Sequence, residues 1–577
     1  MSSFTIAPKD NPGMGPLEAF LKTRAKSFQP IENPAFPNHR MLLWSANEVG
    51  TSIFVEMPGG DFVAVAGTFF YGDQTGQNAA HAFYSEFDPD NFNWAQTSGQ
   101  FALAIVKGGQ LHLMNDGLCA WNLYTNNTEG FVSAGFLEAL FLTQNPSFDT
   151  QGVYEYAFAG YVLGENTFVS GIRTVLPNRL LRMGPHGNFE TIRKPTPIER
   201  LDRPTLSNED LAAWQLETLR KRFSFLRNLA PTDIASSVSG GFDSRLMLGL
   251  LAEQGFKPNL FVYGPESDPD IAPSRAIAAY YGLKLNHVDR TKVKQPSEEK
   301  WPTADDMLFY FDGWKIDGLV GFPLGIEDRH NRVAGARFMA NGKCGEIYRQ
   351  YYYQHIGPGG ADIQRFLKST FGRTVPQMMH KGFDDTLYQD NIEESFRALT
   401  GFTGHRMSQW ELEYLYPKVR IPHDAGRDIV INHRFARNLY PFVEPMLCGP
   451  ALTLNFRERQ FGQLEGQILK QLDPKLAAIP SAYGYDLTEG PDAFYRAKMA
   501  LSYHRPMWLR TLVPAIKQML KPSAKGVPLQ LPEMNLLPDP AMPYMRGYFK
   551  MDAASDPQIL SRLVAMELLG QRFGFKG

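Results

Sequence analysis

The sequence predicts an α/β protein in three successive parts: an antiparallel, sheet-rich N-terminal part, a parallel-sheet α/β part, and a mainly helical C-terminal part. Three observations carry this. Up to about Arg200 the chain holds short β-type runs separated by Gly and Asn/Asp clusters that make turns: Ser52 to Met57, Phe62 to Phe70, Gln100 to Val106, Leu111 to Met114, Gly130 to Ser133 and Leu180 to Met183. From Thr232 the pattern alternates. A strand end at Thr232-Asp233-Ile234-Ala235 is followed by a Gly-rich turn, an apolar helix through Leu246 to Leu251, a second strand Asn259 to Tyr263, and a helix from about Pro273 to Tyr281. Such alternation implies parallel strands with a ligand at their carboxyl ends. From about Gly360 to Leu520 the pattern is mainly helical, and the Pro-rich stretch Gly526 to Pro543 precedes a last helix at about Pro557 to Phe573. LDRPTLSNEDLAAW is the expected linker, with Ser207 and Asp210 forming a capping-box-like helix start.

The most informative stretch is SVSGGFDSR, Ser237 to Arg245. A Gly-rich turn between a strand and a helix presents backbone N–H groups and the positive end of a helix dipole to an anion. Gly240 and Gly241 permit backbone angles that a Cβ forbids, Ser237, Ser239 and Ser244 offer hydroxyls, and Asp243 offers a hard oxygen ligand for the magnesium that accompanies a nucleotide. The GxxxxGK[ST] spacing is absent, which disfavours γ-phosphoryl transfer of the P-loop kind. The plain alternative is a serine-rich loop capping a helix through Ser239 or Asp243.

Composition bounds the rest. A chain of 577 residues is too long for one core and implies about two to four units. Charges nearly cancel, at a net of −2, with no basic block, so neither a nucleic-acid partner nor a membrane partner is expected. The N-terminus lacks a targeting pattern and no apolar run approaches the roughly 18 residues of a membrane span, so the expectation is a soluble, cytoplasmic protein. Cys119, Cys344 and Cys448 lie far apart without CxxC spacing, arguing against a disulfide framework or zinc site.

The loop resembles the SGGxDS loop of the ATP pyrophosphatases, and the order of features resembles the asparagine synthetase family, which includes β-lactam synthetase and related amide-forming enzymes. The resemblance is carried by Gly99 to Tyr124 and Thr167 to Arg179 in the first part, then by MANGKCGEIYR, Met339 to Arg349, and LYPFVEP, Leu439 to Pro445. It implies an amidotransferase-like, Ntn-type domain over residues 1–200 and an ATP-pyrophosphatase synthetase domain over 207–577. It further implies that Ser237, Ser239, Gly240, Gly241 and Ser244 bind the departing pyrophosphate of ATP. Asp243 and Glu346 would hold Mg2+, Val262 and Tyr263 would lie against the adenine, and Gly342 would close over the nucleotide. Arg245 is either a cation beside the phosphates or a helix-surface arginine, and Asp268 and Asp270 have a solvated-turn reading.

The departures matter as much. Position 2 is Ser2 where the glutaminase has its N-terminal cysteine, and the family's NGEIYN string is missing near GTFFYGD, Gly67 to Asp73, so glutamine hydrolysis is not expected. The family's KxxLR lysine falls at Gly466 or Glu465. Lys343 is either a relocated active-site cation, hence a catalytic candidate with Glu346, or a solvent-facing loop residue. The expected activity is adenylation of a carboxylate followed by attack of an amine. The substrate is a small molecule or peptide bearing a carboxylate and an amine; an intramolecular amine would give a lactam or macrolactam. The competing expectation is a catalytically weak nucleotide-binding scaffold. A thiolating or tRNA-modifying pyrophosphatase would want reactive paired cysteines and a basic surface, and the sequence shows neither.

Overall fold

The computed structural model describes residues 2–47, 53–92, 94–184, 187–195, 198, 206–333, 335–506, 509 and 529–576. Two antiparallel sheets form the first part. One has the strand order Arg173–Thr174, Tyr124–Asn126, Phe131–Ser133, Ser2–Pro8, His39–Ser45, Ser27–Ile31; the other runs Phe189–Arg193, Arg179–Met183, Gln110–Asn115, Thr97–Lys107, Phe62–Tyr71, Ile53–Glu56, with Gln74–Thr75 attached to Phe62–Tyr71. Alternation along each strand explains the layering. Phe62, Ala64, Ala66, Ala102 and Ala104 face Phe4, Ile6, Met41 and Leu43 across the space between the sheets. Their neighbours Val63, Val65, Phe101 and Leu103 pack on the helix Gly76–Glu86 through Ala79, Ala80 and Phe83. On the other outer face, Leu42 and Trp44 join Leu17, Phe20 and Leu21 of the helix Met14–Arg24. The result is helix, sheet, sheet, helix. Five of the expected β-runs correspond to strands within a residue or three at each end; the sixth, Ser52 to Met57, appears as Ile53–Glu56, and Ser52 lies outside the described residues.

The second part holds a five-stranded sheet in the order Leu285–Val288, Asn259–Tyr263, Ile234–Ser237, Phe338–Ala340, Arg437–Leu439, every pair parallel. The chain leaves Ile234–Ser237 toward one edge and returns to build the other, so strand order reverses between Ile234–Ser237 and Phe338–Ala340. A crevice opens at the carboxyl ends of a parallel sheet at such a reversal. The helix Asn208–Ser224 begins as expected, Ser207 accepting from the Asp210 N–H, and residues 201–205 of the linker lie outside the described residues. The last helix is Pro557–Phe573, and it packs in the same core as Phe136, Leu137, Val153 and Tyr156 of the first part.

Two polar junctions tie the parts together. Asp312, fully buried, accepts from the N–H groups of Phe136 and Leu137 at 3.1 Å each and pairs with Arg427 at 3.0 Å and Arg434 at 2.6 Å. At the sheet edge, the buried Gln100 amide donates to the Tyr440 carbonyl (3.1 Å) and accepts from its N–H (3.2 Å), while Thr68 donates to the Asn438 carbonyl (2.8 Å). No described helix is long and apolar enough to cross a membrane.

Candidate functional site

The loop from Ser237 to Gly241 leaves the carboxyl end of Ile234–Ser237 and enters the helix Phe242–Glu253, whose N-cap, Gly241, makes no side-chain cap. Neither Ser239 nor Asp243 serves as the cap. The loop is ordered by its own donors: the Ser239 N–H reaches Ser244 Oγ at 2.9 Å, the two hydroxyls lie 3.0 Å apart, and the Gly241 N–H points at Ser239 Oγ at 3.3 Å. The Gly240 N–H is taken by Asp270 Oδ1 at 2.8 Å. A carboxylate therefore already sits on the N–H cradle, and Asp270 is more than a solvated turn residue. Sequence reading missed it because the pairing spans the second strand.

Arg245 departs from the expectation of a cation beside the phosphates. It is fully buried, and its guanidinium donates to the carbonyls of Ile479 (2.5 Å), Pro480 (2.7 Å), Gly240 (3.2 Å) and Leu476 (3.4 Å). Burial pushes its pKa down to about 10. Helix phase turns it inward, where it ties the loop to the segment that follows the short helix Pro474–Ala478. The Ala482 N–H in turn donates to the Gly240 carbonyl at 3.0 Å.

Over Asp243 lies the loop that follows Phe338–Ala340. A Cβ on Gly342 would come within 2.9 Å of the Asp243 backbone, and one on Gly345 would stand 1.9 Å from Asp243 Oδ1. Only glycine admits this approach at the two positions. Asp243 binds Arg349 through both carboxylate oxygens, at 3.0 and 2.7 Å. Arg349 also stands 3.5 Å from Glu465, which is fully buried and has no hydrogen bond to its carboxylate among the described residues. Burial, then the neighbouring Asp243, pushes the Glu465 pKa well above the usual carboxylate range. Burial opposes the charge of Arg349, yet Asp243 and Glu465 more than offset it. Of the two residues the sequence offers for the family's lysine, Gly466 and Glu465, neither is a cation, and the cation in contact with Asp243 comes from Arg349.

Glu346, the second expected magnesium ligand, accepts from the Tyr416 hydroxyl at 2.8 Å. Magnesium is usually held by one or two carboxylates plus substrate phosphates. Here both candidate carboxylates are engaged, and no group of three His, Cys, Asp or Glu side chains suited to a metal occurs among the described residues. Two carboxylates are within the number magnesium ordinarily takes; here Asp243 meets Arg349 and Glu346 meets the Tyr416 hydroxyl.

Lys343 pairs with Asp428 rather than Asp243. Its Nζ binds Asp428 Oδ2 at 2.5 Å, with both side chains about one quarter exposed, so it is neither a free cation beside the loop nor a solvated surface residue. Val262 is strand core. The Tyr263 ring is held between the guanidinium groups of Arg290 (4.5 Å) and Arg332 (4.6 Å), while its hydroxyl donates to Asp328 at 2.6 Å and accepts from Arg332 at 2.8 Å. Burial leads in raising its pKa to about 12.

No protein-family model matches the chain. A tRNA-specific 2-thiouridylase of Bacteroides fragilis, MnmA 2, is 46% identical over 67 residues, which is 10% of this chain and 19% of that protein. MnmA 1 of Bacteroides thetaiotaomicron is 44% identical over 70 residues, 10% of this chain and 20% of that protein. The match therefore spans about a fifth of the length of these curated relatives. Among solved structures, the glutamine phosphoribosylpyrophosphate amidotransferase of B. subtilis complexed with ADP and GMP superposes with a TM-score of 0.23 at 9% identity, covering 52% of this chain and 69% of that one. The U34-tRNA thiolase NcsA of Methanococcus maripaludis, with its [4Fe-4S] cluster, gives 0.17 at 16% identity, covering 39% and 78%. Likeness this loose does not define the architecture, which rests on the strand orders above.

Proposed function

We propose that the chain is an ATP-dependent, AMP-forming amide ligase that works without hydrolysing glutamine. The observation that carries this reading is the meeting of two loops at the strand-order reversal: the serine- and glycine-lined turn Ser237 to Gly241, and the Gly342 to Gly345 turn pressed on Asp243. In the reaction, a substrate carboxylate oxygen attacks the α-phosphorus of ATP and the bond to the β-phosphate breaks, releasing pyrophosphate. An amine then attacks the acyl carbon, AMP leaves, and the nitrogen loses a proton. Ser237, Ser239, Ser244 and the Gly240 and Gly241 N–H groups would receive the departing pyrophosphate, displacing Asp270. Arg349 supplies positive charge beside Asp243, where developing phosphate charge needs it. An amine on the same molecule would make the product a lactam or macrolactam.

A second reading has an observation of its own. Asp270 on the Gly240 N–H and Arg349 on both oxygens of Asp243 are what a nucleotide-binding scaffold without turnover would show. Thiol transfer is disfavoured, because Cys119, Cys344 and Cys448 are all buried and thiolate chemistry needs access; burial leads in pushing the Cys344 pKa up to about 12. The test is exchange of labelled pyrophosphate into ATP across a panel of carboxylic acids. AMP and pyrophosphate as products, lost in Asp243→Ala, support the ligase; ADP and orthophosphate overturn it, and nucleotide binding without exchange selects the scaffold.

A further inference from the structure

The outer face of the antiparallel sheet that contains Thr97–Lys107 holds a cavity of about 340 Å3, remote from the nucleotide loop. Strand register builds its floor. His112 pairs with Arg182 and Lys107 with Gln110, so Gln110, His112 and Arg182 share one face of the sheet. Phe87, Asp88 and Pro89, which follow the helix Gly76–Glu86, form the opposite wall. That wall is tied down: Lys107 Nζ donates to the carbonyls of Phe87 (2.8 Å) and Ser85 (3.3 Å), and Lys194 Nζ donates to that of Pro89. Gly99 and Gln100, near the other end of Thr97–Lys107, are the residues that bond to Glu444 and Tyr440 of the second part. Eight steps of extended strand, about 26 Å, separate Gly99 from Lys107.

The floor has polar groups to spare. His112 is 5% exposed, and its Nδ1 has no hydrogen-bond partner among the described residues, an expensive state for a buried polar atom. Burial leads, followed by Arg182 and then Lys194, in pushing its pKa down to about 4, against the Gln110 backbone and Asp90. The ring is therefore neutral near pH 7, with one N–H to give, in a field that cations dominate. Arg182 spends Nε and Nη2 on Glu190, at 3.3 and 2.7 Å, and Gln110 spends its amide nitrogen on the Met183 carbonyl at 2.6 Å, which leaves Arg182 Nη1 and Gln110 Oε1 for another partner. Beside them the Phe87 ring stands edge-on to His112 at 5.4 Å and supplies apolar surface. Asp88 accepts from the Asp90 N–H (2.9 Å) and the Asn91 amide (2.8 Å), and its negative charge stays on the wall.

We propose that this cavity is a binding site for a small monocarboxylate with an aromatic or bulky apolar tail. The carboxylate lies between Arg182 Nη1 and the His112 N–H, and the tail lies against Phe87 and Pro89. A planar guanidinium suits a carboxylate, and a cavity above about 300 Å3 is on the scale of organic ligands rather than of inorganic ions. Asp88 selects against a second negative charge, so phosphate is disfavoured. Gln110 Oε1 offers an acceptor to a hydroxyl on the ligand. The site is separate from the ligase reading of the nucleotide loop and stands whether or not that reading holds.

The test is calorimetric titration of the full-length protein with phenylacetate and 4-hydroxyphenylacetate against the matching neutral amides, with inorganic phosphate and Mg-ATP titrated separately. At least one carboxylate should bind about tenfold or more tightly than its amide, the worth of one charge-assisted hydrogen bond. The Arg182 side chain is 46% exposed, so its variants should fold. Arg182→Met should remove the preference for the acid, Arg182→Lys should keep part of it, and Mg-ATP affinity should stay within about twofold in both. His112→Phe, which keeps a ring but loses the N–H, should weaken carboxylate binding about fivefold. Should it fail to fold, Gln110→Leu is the second variant and should weaken 4-hydroxyphenylacetate more than phenylacetate. No carboxylate binding at millimolar concentration, equal binding of acid and amide, or phosphate bound as tightly as carboxylate overturns the proposal. So does a preference that survives Arg182→Met, which would move the carboxylate to the nucleotide loop, where the ligase reading seats one.

Discussion

Substituting Gly345 by alanine adds one methyl group and tests how the site is held. The new Cβ would stand 1.9 Å from Asp243 Oδ1, whereas Cβ contacts under 3.0 Å essentially do not occur, so the carboxylate or the loop must shift by at least about 1.1 Å. Asp243 cannot swing aside freely, because both of its oxygens are bound to Arg349. Overpacking of this kind costs about 1–3 kcal/mol of stability, and a misplacement of about 1 Å at a reacting site costs on the order of a hundredfold in rate. Gly345→Ala should therefore lower pyrophosphate exchange about a hundredfold while the protein still folds. Gly15→Ala is the matched control: it sits in the helix Met14–Arg24 with nothing within 4 Å of the added Cβ, and should leave exchange unchanged while melting holds or rises, alanine being the better helix former. Exchange by Gly345→Ala within twofold of the parent protein would refute the argument that this approach fixes Asp243.

Three further outcomes are expected, two from the structure and one from the sequence. Arg349→Met should cost about 3–5 kcal/mol by stranding Asp243 and the buried Glu465, and adding Glu465→Leu should recover a large part of that; additive losses in urea midpoints would show that the pair is not coupled. Lys315 has its pKa pushed by burial, and then by Arg329, Lys343 and Arg332 against the pull of Asp428, from the ordinary 10.5 down to about 7, even with Asp317 beside it. Between about pH 7 and 10 the unfolded chain holds a proton that the folded chain lacks, so this group makes stability rise with pH across that window, and below pH 7 its full cost is felt. Lys315→Met should accordingly stabilise the protein more at pH 6.5 than at pH 10, and a gain that grows with pH would contradict the sign. Incubation with glutamine should release no glutamate above a heat-killed control, and release that disappears in Ser2→Ala would overturn the reading of the first part.

How much of this was legible in the chain depends on the range of the interactions involved. The loop, its strand and its helix could be read because serines, paired glycines and an aspartate within eight residues impose a local backbone path, and the strand Asn259–Tyr263 and the helix Pro557–Phe573 have the expected bounds. The strand His39–Ser45 escaped notice because Met41 to Trp44 are buried on both faces, leaving no alternation to separate a strand from a buried helix. Ser2–Pro8, central in its sheet, is short, half polar and ends at a proline. The Arg349–Asp243 pair joins residues 106 apart in sequence, and no local pattern announces it. Lys343 was singled out because it stands in the right loop, but a loop position does not reveal which way a side chain turns, and here the carboxylate of Asp428 decides it.

The amide of Gln100 gives the N-terminal part a purpose independent of any reaction. Arg437–Leu439 is the outermost strand of the parallel sheet, and an outermost strand offers unpaired peptide groups to any other chain. Gln100 covers Tyr440 with one donor and one acceptor, as a neighbouring peptide unit would, and Thr68 covers Asn438. The antiparallel layers thereby act as a guard against edge-to-edge self-association. Residues 207–577 expressed alone would bare that rim and, beneath it, the arginines that Asp312 holds against the first part. Expressed without the first part, the parallel-sheet part should therefore aggregate through strands added at that rim.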